Sequence, residues 1–235
     1  MGVIIPAVLT DSSETLKEQL QKVAGLTDRV QIDVVDGKFA SPATWPYSES
    51  HSLTEDELLS YGSFQYEVDL MVQDPMSVAP LWVEAGANRL TIHTESIDDF
   101  ALLNKTLREQ LGYEKGFAPQ LLSIGLALEM KTDLHVVEEH LATIDYVQFM
   151  GIEKVGVQGQ PFDERVYERI EHFRKHYPHV PIQVDGGVSL ENAPKLLSLG
   201  VSRLVIGSRL WNSENLRETF HAFDQLKEQY GIFNR

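Results

Sequence analysis

The stretch that decides the fold is Val30-Gln31-Ile32-Asp33-Val34-Val35-Asp36-Gly37-Lys38. Its apolar run predicts a β-strand that is buried on both faces, and Gly37 predicts the end of that strand. Asp33 lies inside the run, where burying a carboxylate is costly unless a metal ion, a cation or hydrogen bonds compensate it. The pattern recurs late in the chain as Ile182-Gln183-Val184-Asp185-Gly186-Gly187. We therefore expect Asp33 and Asp185 to belong to one site.

Strand-like and helix-like segments alternate along the whole chain. We predict strands at residues 3–9, 30–35, 65–71, 89–94, 120–128, 146–150, 182–185 and 203–206. Helices are predicted at 16–24, 54–61, 74–85, 97–111, 134–141, 163–177, 190–199 and 215–230, the third of them starting or kinking at Pro80. Such alternation indicates a parallel sheet. Eight units in 235 residues match a (β/α)₈ TIM barrel of the ribulose-phosphate-binding type, forming a single domain over residues 1–235. A doubly wound open sheet is the alternative, although no GxGxxG motif follows the first strand.

The composition excludes several classes of partner. The chain carries 35 acidic and 20 basic residues, a formal net charge of −15, which disfavours binding to nucleic acid or to anionic membrane. No apolar run approaches the ~18 residues of a membrane span. The chain has no cysteine, which excludes disulfides and thiolate chemistry. Because the start also lacks a basic leader, we predict a cytoplasmic protein with no nucleic-acid or membrane partner.

Acidic residues stand at several predicted strand ends, where a barrel collects its catalytic groups. Asp33, Asp69 and Asp185 are three of them, and Gln31 faces the same side of its strand as Asp33. Three carboxylates in one cavity repel each other and raise at least one pKa unless a cation lies among them. An all-oxygen set of Asp33, Asp69, Asp185 and Gln31 suits Mg²⁺ or Mn²⁺. The alternative is structural, with Asp69 or Asp185 bonding backbone amides at a strand end. We interpret His93 as a hydrogen-bonded core residue.

Glycine-rich segments follow three consecutive predicted strands: Gly156-Val157-Gln158-Gly159, Gly186-Gly187 and Gly207-Ser208. Loops of this kind let backbone N–H groups point at an anion, and barrels often bind phosphate after their last strands. Ordinary turn chemistry is the alternative for each segment taken alone. Their succession at neighbouring strand ends predicts a phosphate-binding site.

The motifs at the strand ends resemble those of the ribulose-phosphate 3-epimerase family. The matching segments occur in the same order and cover nearly the whole chain. They are Gln31-Ile-Asp33-Val-Val-Asp36-Gly37, Glu67-Val-Asp69-Leu-Met71-Val, Leu90-Thr-Ile-His93, Ile124-Gly-Leu-Ala-Leu128, Val184-Asp185-Gly-Gly187 and Gly207-Ser208.

The resemblance implies a homo-oligomeric enzyme, an isomerase that epimerises a small phosphorylated ketose at C3. One aspartate removes the C3 proton, a metal stabilises the enediolate, and a second aspartate returns a proton on the opposite face. Asp33 and Asp185 fall on those two positions. The phosphate grip of the family falls on the three glycine segments, and its methionines beside the enediolate match Met71 and Met150.

The departures from the family pattern concern mainly the metal. The resemblance implies histidine ligands where this chain has Gln31 and Asp69, a substrate-contacting serine where it has Ala7, and a methionine where it has Val35. Losing two imidazoles removes the preference for Zn²⁺ or Fe²⁺, whereas three carboxylates favour Mg²⁺ or Mn²⁺. We therefore predict a divergent sugar-phosphate epimerase and leave its ketose phosphate open.

Two other functions stay open on the same barrel. One is a phosphosugar lyase or decarboxylase. Related decarboxylases carry Asp-x-Lys-x-x-Asp on the second strand, and the run Asp33-Val34-Val35-Asp36 has no lysine. The other is a non-catalytic sugar-phosphate-binding paralogue, in which the phosphate grip works without chemistry.

Overall fold

The computed structural model describes residues 3–111 and 122–230, in which eight parallel strands close into a barrel in the order β1 to β8. This closure confirms the predicted (β/α)₈ fold, and the open-sheet alternative is wrong. The strands are β1 (Val3–Val8), β2 (Arg29–Val35), β3 (Gln65–Met71), β4 (Ala87–His93), β5 (Ser123–Leu128), β6 (Tyr146–Met150), β7 (Ile182–Asp185) and β8 (Arg203–Ile206). Residues 120 and 121, predicted to begin the fifth strand, lie outside the described residues.

The α-helices cover the outside of the barrel. They are α1 (Ser13–Val23), α2 (Pro75–Glu84), α3 (Phe100–Leu111), α4 (Arg165–His176), α5 (Ala193–Ser198), α6 (Ser208–Trp211) and α7 (Leu216–Tyr230). No α-helix within residues 3–111 and 122–230 is both long enough and apolar enough to cross a membrane.

Three details of the helix prediction are wrong. The predicted helices at 54–61 and 134–141 are 3₁₀ segments, Leu58–Tyr61 and Leu134–His140. Of the two alternatives for Pro80, a helix start there is wrong: α2 starts at Pro75, where the Asp74 side chain accepts a hydrogen bond from the Ser77 amide and caps the helix, and Pro80 lies inside it. The short helix α6 directly after β8 was not predicted.

The register of the strands brings the polar residues together. Asp33 pairs with Asp69 across β2 and β3, and Met150 pairs with Asp185 across β6 and β7. Side chains two residues apart on a strand share a face. The barrel interior is therefore polar in two successive layers, with aspartates above and glutamines below, whereas the apolar core lies mainly between the strands and the helices.

One aromatic ring, that of Tyr146, lies in the barrel interior below the polar layers. A Cβ added at Gly125 would lie 2.3 Å from the Tyr146 ring, so this glycine leaves the room that the ring occupies. The guanidinium of Arg89 lies 3.3 Å from the ring centroid, and the Tyr146 hydroxyl is 2.7 Å from Thr91 Oγ1. The carboxyl ends of the strands, at the other end of the barrel, open onto the pocket described next.

Candidate active site

A pocket opens at the carboxyl ends of the strands. The side chains and loops that we predicted from the sequence surround it, except for Gln31, which lies beneath its floor. The predicted residues that line it are Asp33, Asp69, Met71, Met150, Gly156, Val157, Gln158, Gly159, Asp185, Gly186, Gly187, Gly207 and Ser208. The chain therefore brings these residues into a single cavity.

Three buried carboxylates form the floor of the pocket. Asp69 is fully buried, and Asp33 and Asp185 are 6% and 8% exposed. One oxygen from each lies within 4.8 Å of the others. The amide nitrogen of Gln31 donates to Asp33 Oδ1 at 2.8 Å and to Asp185 Oδ2 at 2.6 Å. One amide group thus hydrogen-bonds to both Asp33 and Asp185, the two carboxylates that transfer protons according to the family resemblance.

The third carboxylate has its own donors. His93 Nε2 lies 3.1 Å from Asp69 Oδ1, and Gln148 Nε2 donates to Asp69 Oδ2 at 2.9 Å. His93 is fully buried, which confirms its interpretation as a hydrogen-bonded core residue. Its imidazole nevertheless belongs to the site, because it contacts Asp69 directly.

The carboxylates disturb each other's ionisation. Burial, followed by the charges of Asp185 and Asp69, raises the pKa of Asp33 well above its usual range. Burial and the charge of Asp69 raise the pKa of Asp185 to about 7. Burial lowers the pKa of His93, but the charges of Asp69 and Glu95 outweigh it and leave that pKa raised. Asp33 and Asp185 therefore do not both ionise readily at neutral pH, and one of them can hold a proton.

The loop after β2 fixes the strand end that carries Asp33. Thr44 Oγ1 accepts a hydrogen bond from the Val35 amide at 2.9 Å and donates to the Asp33 carbonyl at 3.1 Å. Asp36 has a structural role, because it accepts backbone N–H groups of residues 38, 39 and 73. The two carboxylates of this strand end thus differ: Asp33 faces the pocket, and Asp36 fastens the loop.

The glycine loops form the opposite side of the pocket. Gly186 and Gly187 have positive φ, and a Cβ at Gly187 would lie 2.8 Å from Phe162 Cα, so a side chain is excluded there. Helix α6 begins at Ser208. Among the described residues that line the pocket, Arg209 is the only one with a cationic side chain. Backbone amides and one guanidinium are therefore available to an anion at this end.

Two methionines form an apolar wall of the pocket. Met71 and Met150 are each 3% exposed, and they pack with Val35 and Ile152. Such a wall limits the access of water to a reacting group and strengthens the electrostatic interactions inside the pocket.

The carboxylate floor fits a divalent cation. Its three oxygens converge, and hard cations prefer carboxylate oxygens. Gln31 presents its amide nitrogen, which donates and cannot coordinate, so the ligands available to a cation are Asp33, Asp69 and Asp185. A second group of convergent ligand atoms, His93, Glu95 and Glu129, lies nearer the rim.

Sequence reasoning missed the polar residues below the carboxylates. Gln148, Gln183 and Glu67 are buried in the barrel interior, and Arg203 contacts two of them. A signal was present, because each site aspartate has a polar residue two positions earlier: Gln31 before Asp33, Glu67 before Asp69 and Gln183 before Asp185. Residues at that spacing share a strand face, so a second polar layer could have been predicted.

Comparisons with known proteins agree on one family. The model of the Ribulose-phosphate 3 epimerase family matches residues 3–211. Ribulose-phosphate 3-epimerase of Aquifex aeolicus is 29% identical over 225 residues, which are 92% of each chain. The chloroplastic ribulose-5-phosphate-3-epimerase of Arabidopsis thaliana is 29% identical over 238 residues, covering 98% of this chain and 79% of the relative.

Solved structures with the same fold include a sugar-phosphate enzyme. A 3-hexulose-6-phosphate synthase superposes with a TM-score of 0.70 at 17% identity, covering 95% of this chain and 99% of the other. The protein KGPDC from Streptococcus mutans gives a TM-score of 0.69 at 12% identity, covering 98% and 99% of the two chains. At such identities the likeness extends to the fold alone.

Proposed function

Because this chain belongs to the ribulose-phosphate 3-epimerase family and is an isomerase of carbohydrate phosphates, we propose that it inverts C3 of a small phosphorylated ketose. Ribulose 5-phosphate is the first candidate substrate. One observation carries the proposal: Asp33 and Asp185 share the amide of Gln31 on the floor of a pocket whose opposite side is made of glycine loops.

The two aspartates would exchange roles in each turnover. The ionised carboxylate takes the C3 proton, which is acidic because C3 is next to the C2 carbonyl, and the electron pair of the broken C–H bond forms an enediolate. The protonated carboxyl gives its proton to the other face of C3. A general acid that keeps its proton near neutral pH is needed for this step. Without a bound cation, the pKa values of Asp33 and Asp185 are both raised (to about 7 for Asp185), so one of the two carboxyl groups can supply that proton.

The remaining pocket residues would hold and shield the substrate. Gly187, Gly207 and Arg209 line this side of the pocket. The backbone amides of the two glycines would bind the phosphate, and the Arg209 guanidinium would offset its charge. This local cradle opposes the net charge of −15, which would otherwise repel an anionic substrate. Met71 and Met150 would cover the reacting carbons and exclude water, so that the proton comes from a carboxyl group.

We further propose that Asp33, Asp69 and Asp185 hold a divalent cation, with Mg²⁺ or Mn²⁺ favoured over Zn²⁺ or Fe²⁺. The described donor set around the carboxylates supports this choice, because the only imidazole beside it, His93, already contacts Asp69. A bound cation would offset the negative charge that develops on the substrate oxygens.

The test is C3 proton exchange in D₂O, followed by NMR with ribulose 5-phosphate and a small panel of hexulose 6-phosphates. Each reaction is run after EDTA treatment and after adding back Mg²⁺, Mn²⁺ or Zn²⁺. We expect exchange at C3 and formation of the epimer with one of these sugars, greatest with Mg²⁺ or Mn²⁺. Binding of phosphosugars without exchange would contradict the proposal and indicate a non-catalytic binder, whereas cleavage of a carbon–carbon bond would indicate a lyase.

The other partners and the location follow the family resemblance and the acidic surface. We propose a cytoplasmic homo-oligomer, formed by one domain per chain, that binds neither nucleic acid nor membrane. Light scattering after size-exclusion chromatography tests the oligomeric state, and a mass equal to that of one 26.5 kDa chain would contradict it.

A further inference from the structure

A chain of buried side-chain amides connects the amino-terminal end of the barrel to the carboxylates. Gln31, Gln148 and Gln183 are all fully buried. Gln183 Nε2 donates to Gln31 Oε1 at 3.1 Å and to Gln148 Oε1 at 2.7 Å. Gln31 then donates to Asp33 and Asp185, as described above. The three amides therefore form one branched network below the pocket floor.

The direction of the network is fixed at its lower end. Arg203 Nε lies 2.9 Å from Gln183 Oε1, and Arg89 Nη2 lies 3.4 Å from the same oxygen. A guanidinium has only donors, so the Gln183 atom that faces it must be the oxygen, and the Gln183 nitrogen must point up into the barrel. Because the Gln183 nitrogen is a donor, the Gln31 and Gln148 atoms that face it are their oxygens. The nitrogens of Gln31 and Gln148 therefore face the carboxylates.

The opposite orientation would be costly at every step. It would set the Gln183 nitrogen against two guanidinium donors. It would also set the Gln31 oxygen against carboxylate oxygens of Asp33 and Asp185 at distances near 2.8 and 2.6 Å. Buried groups without a hydrogen-bond partner cost more than a hydrogen bond contributes. In the observed orientation each Gln31 and Gln183 amide hydrogen has an acceptor.

We propose that Arg203 and Gln183 are positioning residues that orient Gln31 and Gln148, so that the Gln31 amide holds Asp33 and Asp185 at a fixed separation for proton transfer. The network makes Gln31 a hydrogen-bond donor to the two bases, and a residue at the far end of the barrel sets its orientation. This inference rests on the proposed function for its kinetic consequence only.

The sharpest variant is Gln183→Glu. The substitution is isosteric and keeps acceptors for Arg203 and Arg89, so the lower end of the barrel remains satisfied. It removes the donor that orients Gln31 and Gln148. A carboxylate at position 183 accepts hydrogen bonds from the nitrogens of these two amides, so both amides would turn and point their oxygens toward the aspartates. Gln65→Glu is the matched control, because Gln65 accepts from Arg29 Nε at 2.8 Å near the same end of the barrel and has no contact with the network among the described hydrogen bonds.

Two readouts separate this inference from the proposed function. In the Gln183→Glu variant we expect kcat for C3 epimerisation to fall about 10- to 100-fold with KM changed less than threefold, while the Gln65→Glu variant matches the wild type. By NMR of the wild-type protein, nuclear Overhauser contacts of the Gln31 NH₂ protons should reach the methylene groups of Asp33 and Asp185.

The NMR readout decides the matter even if no sugar is epimerised or the variant does not fold. Gln31 NH₂ protons that contact Gln183 rather than the two aspartates in the wild-type protein would overturn the inference. Unchanged kcat and unchanged Gln31 contacts in a folded Gln183→Glu variant would overturn it as well.

Discussion

The two ends of the barrel interior both bury charge, but they treat it in opposite ways. At the amino-terminal end, Glu67 contacts the guanidinium of Arg203 and lies 3.4 Å from that of Arg89, so opposite charges are paired. At the carboxyl end, three aspartates face one another, and their hydrogen-bond partners among residues 3–111 and 122–230 are neutral amides and His93. Because opposite charges that are paired compensate each other, the amino-terminal end requires neither an added proton nor a bound cation. Facing like charges must take up a proton or bind a cation, which equips that end for chemistry.

The largest effect is expected when one of the proton-transferring carboxylates at the carboxyl end is removed. Asp33→Asn and Asp185→Asn each remove one proton-transferring group and keep the shape of the site. We expect C3 epimerisation to fall by about 10²- to 10⁴-fold or more, the usual contribution of a general acid or base. Steady-state kinetics measures the effect, with Asp98→Asn, an exposed aspartate outside the pocket, as the control. Wild-type rates in both variants would refute the assignment.

The next largest effect is expected when the buried anion at the amino-terminal end is removed. Glu67→Gln leaves Arg203 and Arg89 without their anion, and breaking a buried ion pair costs about 3–5 kcal/mol. We expect a loss of about 3 kcal/mol in the free energy of unfolding, because both arginines retain some solvent exposure. Urea unfolding measures it. A variant as stable as the wild type would show that the paired end contributes nothing to stability.

A matched substitution two residues away should have the opposite sign. Asp69→Asn also changes an acid of β3 into its amide, but it removes one of three like charges. In EDTA we expect this variant to be more stable than the wild type by about 1–2 kcal/mol and to bind Mn²⁺ more weakly. Urea unfolding and Mn²⁺ titration check both points. If Glu67→Gln and Asp69→Asn shift stability in the same direction, the contrast between the two ends is wrong.

The smallest expected effect, taken over a single pH unit, is the pH dependence of the stability of the cation-free protein. An acid whose folded pKa is raised from 3.8 to about 7, as for Asp185, binds more protons folded than unfolded between those values. Stability therefore falls as pH rises from about 4 to about 7, by at most about 1.4 kcal/mol per pH unit for each such proton. Thermal unfolding in EDTA at pH 5, 6, 7 and 8 should show this decline. The Asp185→Asn variant should show a shallower one, and identical slopes would contradict the raised pKa.

The sequence predicted the upper polar layer of the barrel interior, which contains the aspartates, but not the lower layer, which contains the glutamines. The strands, Asp33, Asp69, Asp185 and the glycine loops were predictable, because carboxylates within or beside apolar runs are unusual and glycine segments follow three consecutive strands. The two 3₁₀ segments were taken for helices, because hydrophobic spacing over a few residues does not distinguish the two conformations.

The orientation of Gln31 was beyond the sequence. An amide is either an oxygen ligand or a nitrogen donor, and which it is depends on neighbours distant along the chain. Arg203 and Gln183 decide it here through the strand register. Gln31 was accordingly predicted as a cation ligand, and the structure shows its donor side toward the carboxylates.

The most direct test of the two-base account follows each epimer separately in D₂O with the single variants Asp33→Asn and Asp185→Asn. Each variant keeps one base, so it should exchange the C3 proton of one epimer without inverting it. The two variants should act on opposite epimers. If both variants exchange the same epimer, or if either one interconverts the two epimers as fast as it exchanges the C3 proton, Asp33 and Asp185 are not bases on opposite faces of C3.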